Sequence, residues 1–498
     1  MMRRRPLGGR RVLAGALMVL AAGSAATLAA GRLLSTGPLA SAAEIPPLKA
    51  GEPLREPPVV SAKGGVASLH LTAKATQVSL GAIKAIGNPW NAMLPSPTLE
   101  ISPGDRMRIK LTNDNPYSEP TNIHVHGMHT SPNKPGDDVF INLPAGHSYQ
   151  YKYDIPKDQI PGVYWYHPHR HEYTQTQVFT GQAGAIIVRG GLDEVKGVGD
   201  VRDRLLVYQA TQVNDKGRVI KTPSNSAPKD QLQLINGQLR PTIDIHPGET
   251  QRWRILNASS DRFLVLRLKG HFMWLLANDG NPEATPIRTS TQFIGPGERR
   301  EILVRASTHP GRFALESMHF VPVRKQPSYS GPTRTIATMV VAGPRQTPRP
   351  IPDKLLPVED LRHVHVNKTR LVRFTEGFIP KPPTPFFYIN GKEFNPDKVL
   401  FKMRLGDVEE WTVVNRTDEW HTFHIHINPY QVTKVNGKPV KGVLWDDNVV
   451  IGPFGGSITF RTRFKDFTGK FVIHCHVLFH EDHGMMAAVE VVPRDART

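Results

Sequence analysis

Polar and apolar residues alternate over short stretches along most of the chain, and glycine or proline cuts each stretch. RMRIKLT (106–112) has this form, and a period of two predicts a strand with one buried face. The same unit recurs. Gly104-Asp105 is followed nine positions after the glycine by Asn113. Gly248-Glu249 leads at the same spacing, across QRWRIL, to Asn257. Gly406-Asp407 leads, across EEWTVV, to Asn415. Each copy reads as a turn, an alternating strand and a polar strand end. Ile-Asn-Gly precedes the second and third copies, at 235–237 and 389–391.

A second pattern lies downstream of each copy. Gly162-Val-Tyr164 leads to His167-Pro-His169, and Gly469-Lys-Phe471 leads to His474-Cys-His476. Gly311-Arg-Phe313 leads at the same spacing to Glu316-Ser-Met318. The middle copy keeps the strand and lacks the histidines. These repeats predict three related all-β domains, 61–190, 200–343 and 357–498, of Greek-key sandwich or barrel type. The Pro-rich GPRQTPRPIPDKLLP (343–357) is the second linker. Length agrees with three domains, and 44 Pro and 42 Gly in 498 residues favour turns and short strands over long helices.

Residues 1–42 read as an export signal, followed by a linker over 43–60. MMRRRPLGGRR is basic, 12–30 is an apolar run, and Ala-Ser-Ala at 40–42 is a candidate cleavage site. Arg10-Arg11 before Val12-Leu13 suggests the twin-arginine route, which exports folded proteins. The alternative is an uncleaved membrane anchor. The expected destination is secreted, periplasmic or cell-surface. Export favours disulfides, yet one Cys cannot form one within the chain. Net charge is +18, and without the six Arg of residues 1–42, which carry no acid, it is +12. No basic run is interleaved with aromatics, so a solvated basic surface is preferred and no nucleic-acid partner is expected.

The chemistry lies in the histidines. Chance placement of 21 His would give about one His-x-His pair, a spacing with metal-binding meaning. The chain has six such pairs, four of them at matching points of the first and third domains: His124/His126, His167/His169, His424/His426 and His474/His476. On a strand, positions i and i+2 share a face and the residue between them faces away. In His474-Cys475-His476 one strand therefore touches two sites. Cys475, His480 and His421, with Met485 as a weak axial partner, could give a set of blue-copper type, suited to one-electron transfer; zinc could also use Cys and His but gives the eight further histidines no role. The eight paired imidazoles can hold three copper ions. Electrons would enter singly at the Cys copper, cross to His474 and His476, and collect where four reduce O2 to water.

HVHG (124–127), WYHPH (165–169), HTFHIH (421–426) and HCHVLFHEDHGM (474–485) resemble, in order, the four copper motifs of the multicopper oxidases. HEDxxMM (480–486) is most similar to the bacterial laccase-like branch, with spore-coat laccases and bilirubin oxidases. The resemblance implies three consecutive cupredoxin-like Greek-key β-sandwich domains and four copper ions. It implies a type 1 copper on His421, Cys475, His480 and Met485. It implies a type 2 copper on His124 and His424, and a type 3 pair on His126, His167, His169, His426, His474 and His476. Glu481 resembles a position used for proton delivery, with Asp137 or Asp138 as the other candidates. Val125 stands where many relatives carry Trp, and there is no Met-rich insertion of the kind found in cuprous oxidases. An axial methionine implies a low potential and easily oxidised donors.

The implied activity is a laccase-like oxidation of phenols, aromatic amines or similar small donors coupled to reduction of O2. A metallo-oxidase for Cu(I) or Mn(II) is the alternative. A copper nitrite reductase would not need the eight-histidine set in one chain. An envelope scaffold would not need to keep the ligands, and a copper store would not need Cys475 between two sites. His129, His171 and His483 read as supporting or surface residues, and His363/His365 as part of a surface strand. His246, His271, His309 and His319 read as structural.

Overall fold

The computed structural model describes residues 51–80, 83–115, 118–220, 231–322, 331–380 and 383–496. The expected export signal, 1–42, lies outside the described residues, as does the first part of the expected linker. Among the described residues, no helix is long and apolar enough to cross a membrane.

Strands form where the alternation predicts them. In Arg106–Asp114 the side chains of Met107, Ile109 and Leu111 are fully buried, while Arg106 and Lys110 are exposed. The repeated asparagine ends each of these strands in the same way. Asn113 donates to Glu119 O and Leu143 O and accepts from Asn115 N. Asn257 donates to Arg262 O and Ile294 O and accepts from Ser259 N. Asn415 donates to Glu419 O and Gly452 O and accepts from Thr417 N. All three are fully buried. One amide thus satisfies backbone groups that the strand end would leave unpaired. The Ile-Asn-Gly sites are tight turns with Asn236 at φ 51° and Asn390 at φ 53°. Asn tolerates this left-handed region better than most residues.

Three blocks of sheet follow one another. In each, one five-stranded sheet carries the same wiring. Ser96–Ile101, Gly184–Val188, Gly162–His167 and His124–His126 pair parallel, antiparallel and antiparallel. Thr242–Ile245, Arg334–Val341, Gly311–Ser317 and Leu264–Leu268 repeat this order. So do Val399–Arg404, Met486–Val492, Gly469–Cys475 and His421–Ile425. The second and third blocks each add a six-stranded sheet, and the first adds a three-stranded one. Each apolar core draws on both of its sheets; in the third block Trp411 and Val413 meet Ile473 and Val489. The chain is an all-β protein of three cupredoxin-like domains.

The described part of 43–60 is more than a linker. Leu54 N donates to Thr242 O of the middle domain at 2.8 Å. Val59–Ser61 pairs parallel with Ser96–Ile101 and extends the first domain's sheet. Extended residues beside an open sheet edge are recruited to it.

Candidate metal centres

Strand register brings the paired histidines together. His124 pairs with His167, and His424 with His474. At the matching register of the middle domain stand Arg267 and Glu316, joined by an ion pair at 2.7 Å. A salt bridge there takes the place of a histidine pair.

Strand Gly469–Cys475 delivers side chains to two faces. On one, Cys475 Sγ lies 3.3 Å from His421 Nδ1 and 3.7 Å from His480 Nδ1, and the two nitrogens are 3.0 Å apart. All three residues are buried. Met485 is fully buried in the same core cluster as Cys475, and its carbonyl accepts from Cys475 N at 3.0 Å. The outer nitrogens are held: His421 Nε2 lies 2.6 Å from Thr417 Oγ1, and His480 Nε2 lies 2.9 Å from Glu419 Oε2. Phe387 stacks on His480 at 4.2 Å.

On the other face eight imidazoles converge between the first and third domains. His474 Nε2 lies 3.1 Å from both His169 Nε2 and His426 Nε2. His126, His167 and His476 form a second trio, and His124, His126 and His424 a third, each with ligand atoms within 4.8 Å. All eight are buried. Nε2 of His124, His167, His424 and His476 and Nδ1 of His126 have no hydrogen-bond partner. Buried nitrogens without partners are costly unless a metal takes their lone pairs. A set of imidazoles with one thiolate suits copper. Burial, with repulsion from neighbouring rings, holds His124, His126, His167, His426, His474 and His476 well below the usual histidine value. Burial holds His169 at about 4. Neutral imidazole is the form that binds a metal.

Acids surround the cluster. Asp137 accepts from Val125 N at 3.0 Å and lies 2.8 Å from His124 Nδ1, and burial pushes its carboxyl up. It is 2% exposed, so it is no surface loop acid, unlike its half-buried neighbour Asp138. Glu481 is fully buried, with oxygens 3.0 Å from His474 Nδ1 and 3.6 Å from His169 Nδ1; burial raises its pKa. It lies on the short helix Leu478–Asp482. Asp482 of that helix accepts from Gln175 N and Thr174 N at 2.8 and 3.4 Å. It thereby caps helix Thr174–Phe179 of the first domain, whose own preceding residue, Tyr173, provides no side-chain cap.

The remaining histidines divide. His129 is buried rather than superficial: its Nδ1 donates to Ile427 O at 2.9 Å, and its Nε2 lies 2.9 Å from Asp466 Oδ2. It ties the first domain to the third. His171 and His483 are half-buried, and His483 Nδ1 donates to Phe479 O at 2.7 Å. His363 and His365 are exposed but lie in no strand; Leu361–His363 is a 3-10 turn whose N-terminus Asp360 caps. His246 and His271 bind backbone groups within the middle domain. Sequence reasoning missed Asp447, Glu419 and Thr417, which meet outer nitrogens of the clustered rings, and Arg299, which holds Asp447. The one signal was Asp446-Asp447, two adjacent acids amid the apolar residues of VLWDDNVVI. A cavity of about 510 Å3 opens where the three domains meet, with Gly127, next to His126, and Tyr164 in its wall.

Three stretches, 73–192, 165–339 and 363–495, match family models described as Multicopper oxidase. "Multicopper oxidase mco" of Staphylococcus haemolyticus (strain JCSC1435) is 26% identical over 412 residues, covering 81% of this chain and 83% of that one. "Laccase" of Bacillus stratosphericus is 24% identical over 472 residues, covering 81% and 90%. Among solved structures, "Multicopper oxidase from Campylobacter jejuni: a metallo-oxidase" superposes with a TM-score of 0.77 at 26% identity, covering 89% of this chain and 96% of that one. With its three cupredoxin-like domains and the four motifs in order, the chain belongs to the multicopper oxidase family, copper oxidoreductases that use O2 as acceptor.

Proposed function

We propose that this enzyme is a laccase-type oxidase of phenols, aromatic amines or similar small donors, with four copper ions. In this reading His421, Cys475, His480 and Met485 hold the type 1 ion, and His124 and His424 the type 2 ion. His126, His167, His169, His426, His474 and His476 hold the type 3 pair. When bound, copper supplies one-electron acceptance from the donor and four-electron reduction of O2 to water. The observation that carries the reading is Cys475: its sulfur lies 3.3 and 3.7 Å from two imidazole nitrogens, while the adjacent His474 turns to the cluster. The backbone between them is the shortest covalent path from one face of the strand to the other.

Donor access is supported at His480. Its outer nitrogen meets Glu419, whose side chain is 18% exposed against 4% for His480. Half-buried Trp420, next to Glu419 in the chain, meets half-buried Phe320 with ring centroids 5.3 Å apart. A phenol resting on these rings would give its hydroxyl proton to Glu419 Oε as its electron leaves. On the cluster side, Glu481 between His169 and His474 is the proposed proton relay, with Asp137 on His124 as the second candidate.

The second reading is a metallo-oxidase for Cu(I) or Mn(II), which acids near His480 would suit. Glu376 lies near Glu419 and Asp418; burial and then these two charges push its carboxyl up. The solved relative from Campylobacter jejuni is described as a metallo-oxidase. Residues 1–42 support export, by the twin-arginine route, to the periplasm or cell exterior. The test is absorption of the copper-loaded protein, then oxygen uptake. A band at about 600 nm that bleaches with a phenol and returns with O2 supports the laccase reading. Loaded protein without the band sinks the role of Cys475. Oxygen uptake with Cu(I) and none with phenols supports the metallo-oxidase.

A further inference from the structure

The middle domain gives no histidine to the cluster, yet one of its arginines is seated against it. Arg299 is fully buried. Its fork closes on Asp447 of the third domain, Nη1 to Oδ1 at 2.8 Å and Nη2 to Oδ2 at 2.6 Å. Its Nε donates to Val163 O of the first domain at 3.1 Å. One guanidinium therefore ties all three domains. Asp279 backs the junction from the middle domain, accepting from Arg299 N at 2.7 Å and from Asn448 N at 3.0 Å. Burial opposes ionisation of Asp447, but Arg299 outweighs it and holds the carboxyl below its usual range.

Asp447 in turn touches a histidine from each of two domains. His126 Nε2 donates to its carboxylate at 3.0 Å, and His424 Nδ1 donates to its carbonyl at 2.7 Å. A proton fixed on one ring nitrogen leaves the lone pair on the other. The two histidines are thus set to opposite tautomers, presenting His126 Nδ1 and His424 Nε2. Those two atoms are buried and have no hydrogen-bond partner. Gly127 lets the parts approach: at φ +82°, any Cβ there would collide with Arg299 Nη2 and Asp447 Oδ2.

We propose that Arg299 is a positioning residue for the histidine cluster, fixing Asp447 and through it the orientation and tautomer of His126 and His424. The domain without ligands then sets the fit between the two that carry them. This rests on the reading of the eight histidines as copper ligands.

The test uses Arg299→Lys, which keeps the charge but loses the two-point fork, alongside Arg299→Gln and Asp447→Asn. Copper-loaded proteins are compared by blue absorption, by electron paramagnetic resonance of the non-blue copper, and by chelator competition. In Arg299→Lys the blue band stays. The non-blue copper is held about 10- to 100-fold more weakly, the usual loss when an outer partner of a ligand is removed, and its resonance signal changes. Asp447→Asn shows the same change. Should Arg299→Gln not fold, the lysine variant carries the result. Non-blue copper with wild-type affinity and signal in Arg299→Lys overturns the inference. Equal weakening of blue and non-blue copper overturns it too, because a purely structural arginine would act in that way. Wild-type protein that binds blue copper alone would overturn the eight-histidine reading together with this one.

Discussion

Glu419 and Glu481 stand at opposite ends of the proposed electron path, with Cys475 between them, so their substitutions separate cleanly. Cys475→Ser removes the only thiol, and the blue band is expected to vanish while copper at the eight histidines stays; absorption and copper content read this directly. Glu419→Gln keeps a hydrogen-bonding group for His480 Nε2, 2.9 Å away, but cannot take a proton. Steady-state kcat/KM for phenols is expected to fall by about 10²-fold, the lower end for a lost proton acceptor. Reoxidation of the prereduced enzyme by O2, followed in stopped flow, stays unchanged. Glu481→Gln should invert that pattern, slowing reoxidation by about 10²-fold and leaving reduction by donor intact. The eight clustered histidines were legible as residues because His-x-His on a strand has a fixed spacing. Glu419 and Asp447 were not legible as partners, since a ring's outer hydrogen bond has no sequence period.

At the level of strands, the repeated Gly-to-Asn unit was visible before its cause. Asn257 shows the cause: its amide serves Arg262 O, Ile294 O and Ser259 N at once in a fully buried site. Asn257→Ala leaves those groups unpaired, and about 1–3 kcal/mol of stability is expected to be lost, measured by denaturant unfolding with copper content checked. The middle domain's repeated strand was predicted, and so was its lack of a His-x-His pair. What stands in their place, Arg267 across from Glu316, required the register, which the sequence carries only in the spacing of whole repeats. The segment before residue 61 was misjudged for a related reason. Val59–Ser61 is too short to show alternation, and its place in the sheet comes from the edge it meets.

Across the whole molecule the cluster belongs to no single domain, because each of the outer two supplies four of the eight imidazoles. Metal bound there favours the assembled form over the separated one. Stripping copper with a chelator is expected to lower the calorimetric melting temperature, and restoring it at about 1,000 times its dissociation constant should return about 4 kcal/mol per site. A melting temperature indifferent to copper would mean that the domains are held together without it. The arrangement also has a consequence in time. His169 and His474 lie within 3.1 Å but are separated by 305 residues. At about 5–20 residues per second of synthesis, the first domain waits roughly 15–60 s with half a cluster facing water. During that interval its four imidazoles are an open claw for any passing divalent ion. Final metal selection therefore belongs to the moment when the last strands close over them, after the ribosome has nearly finished.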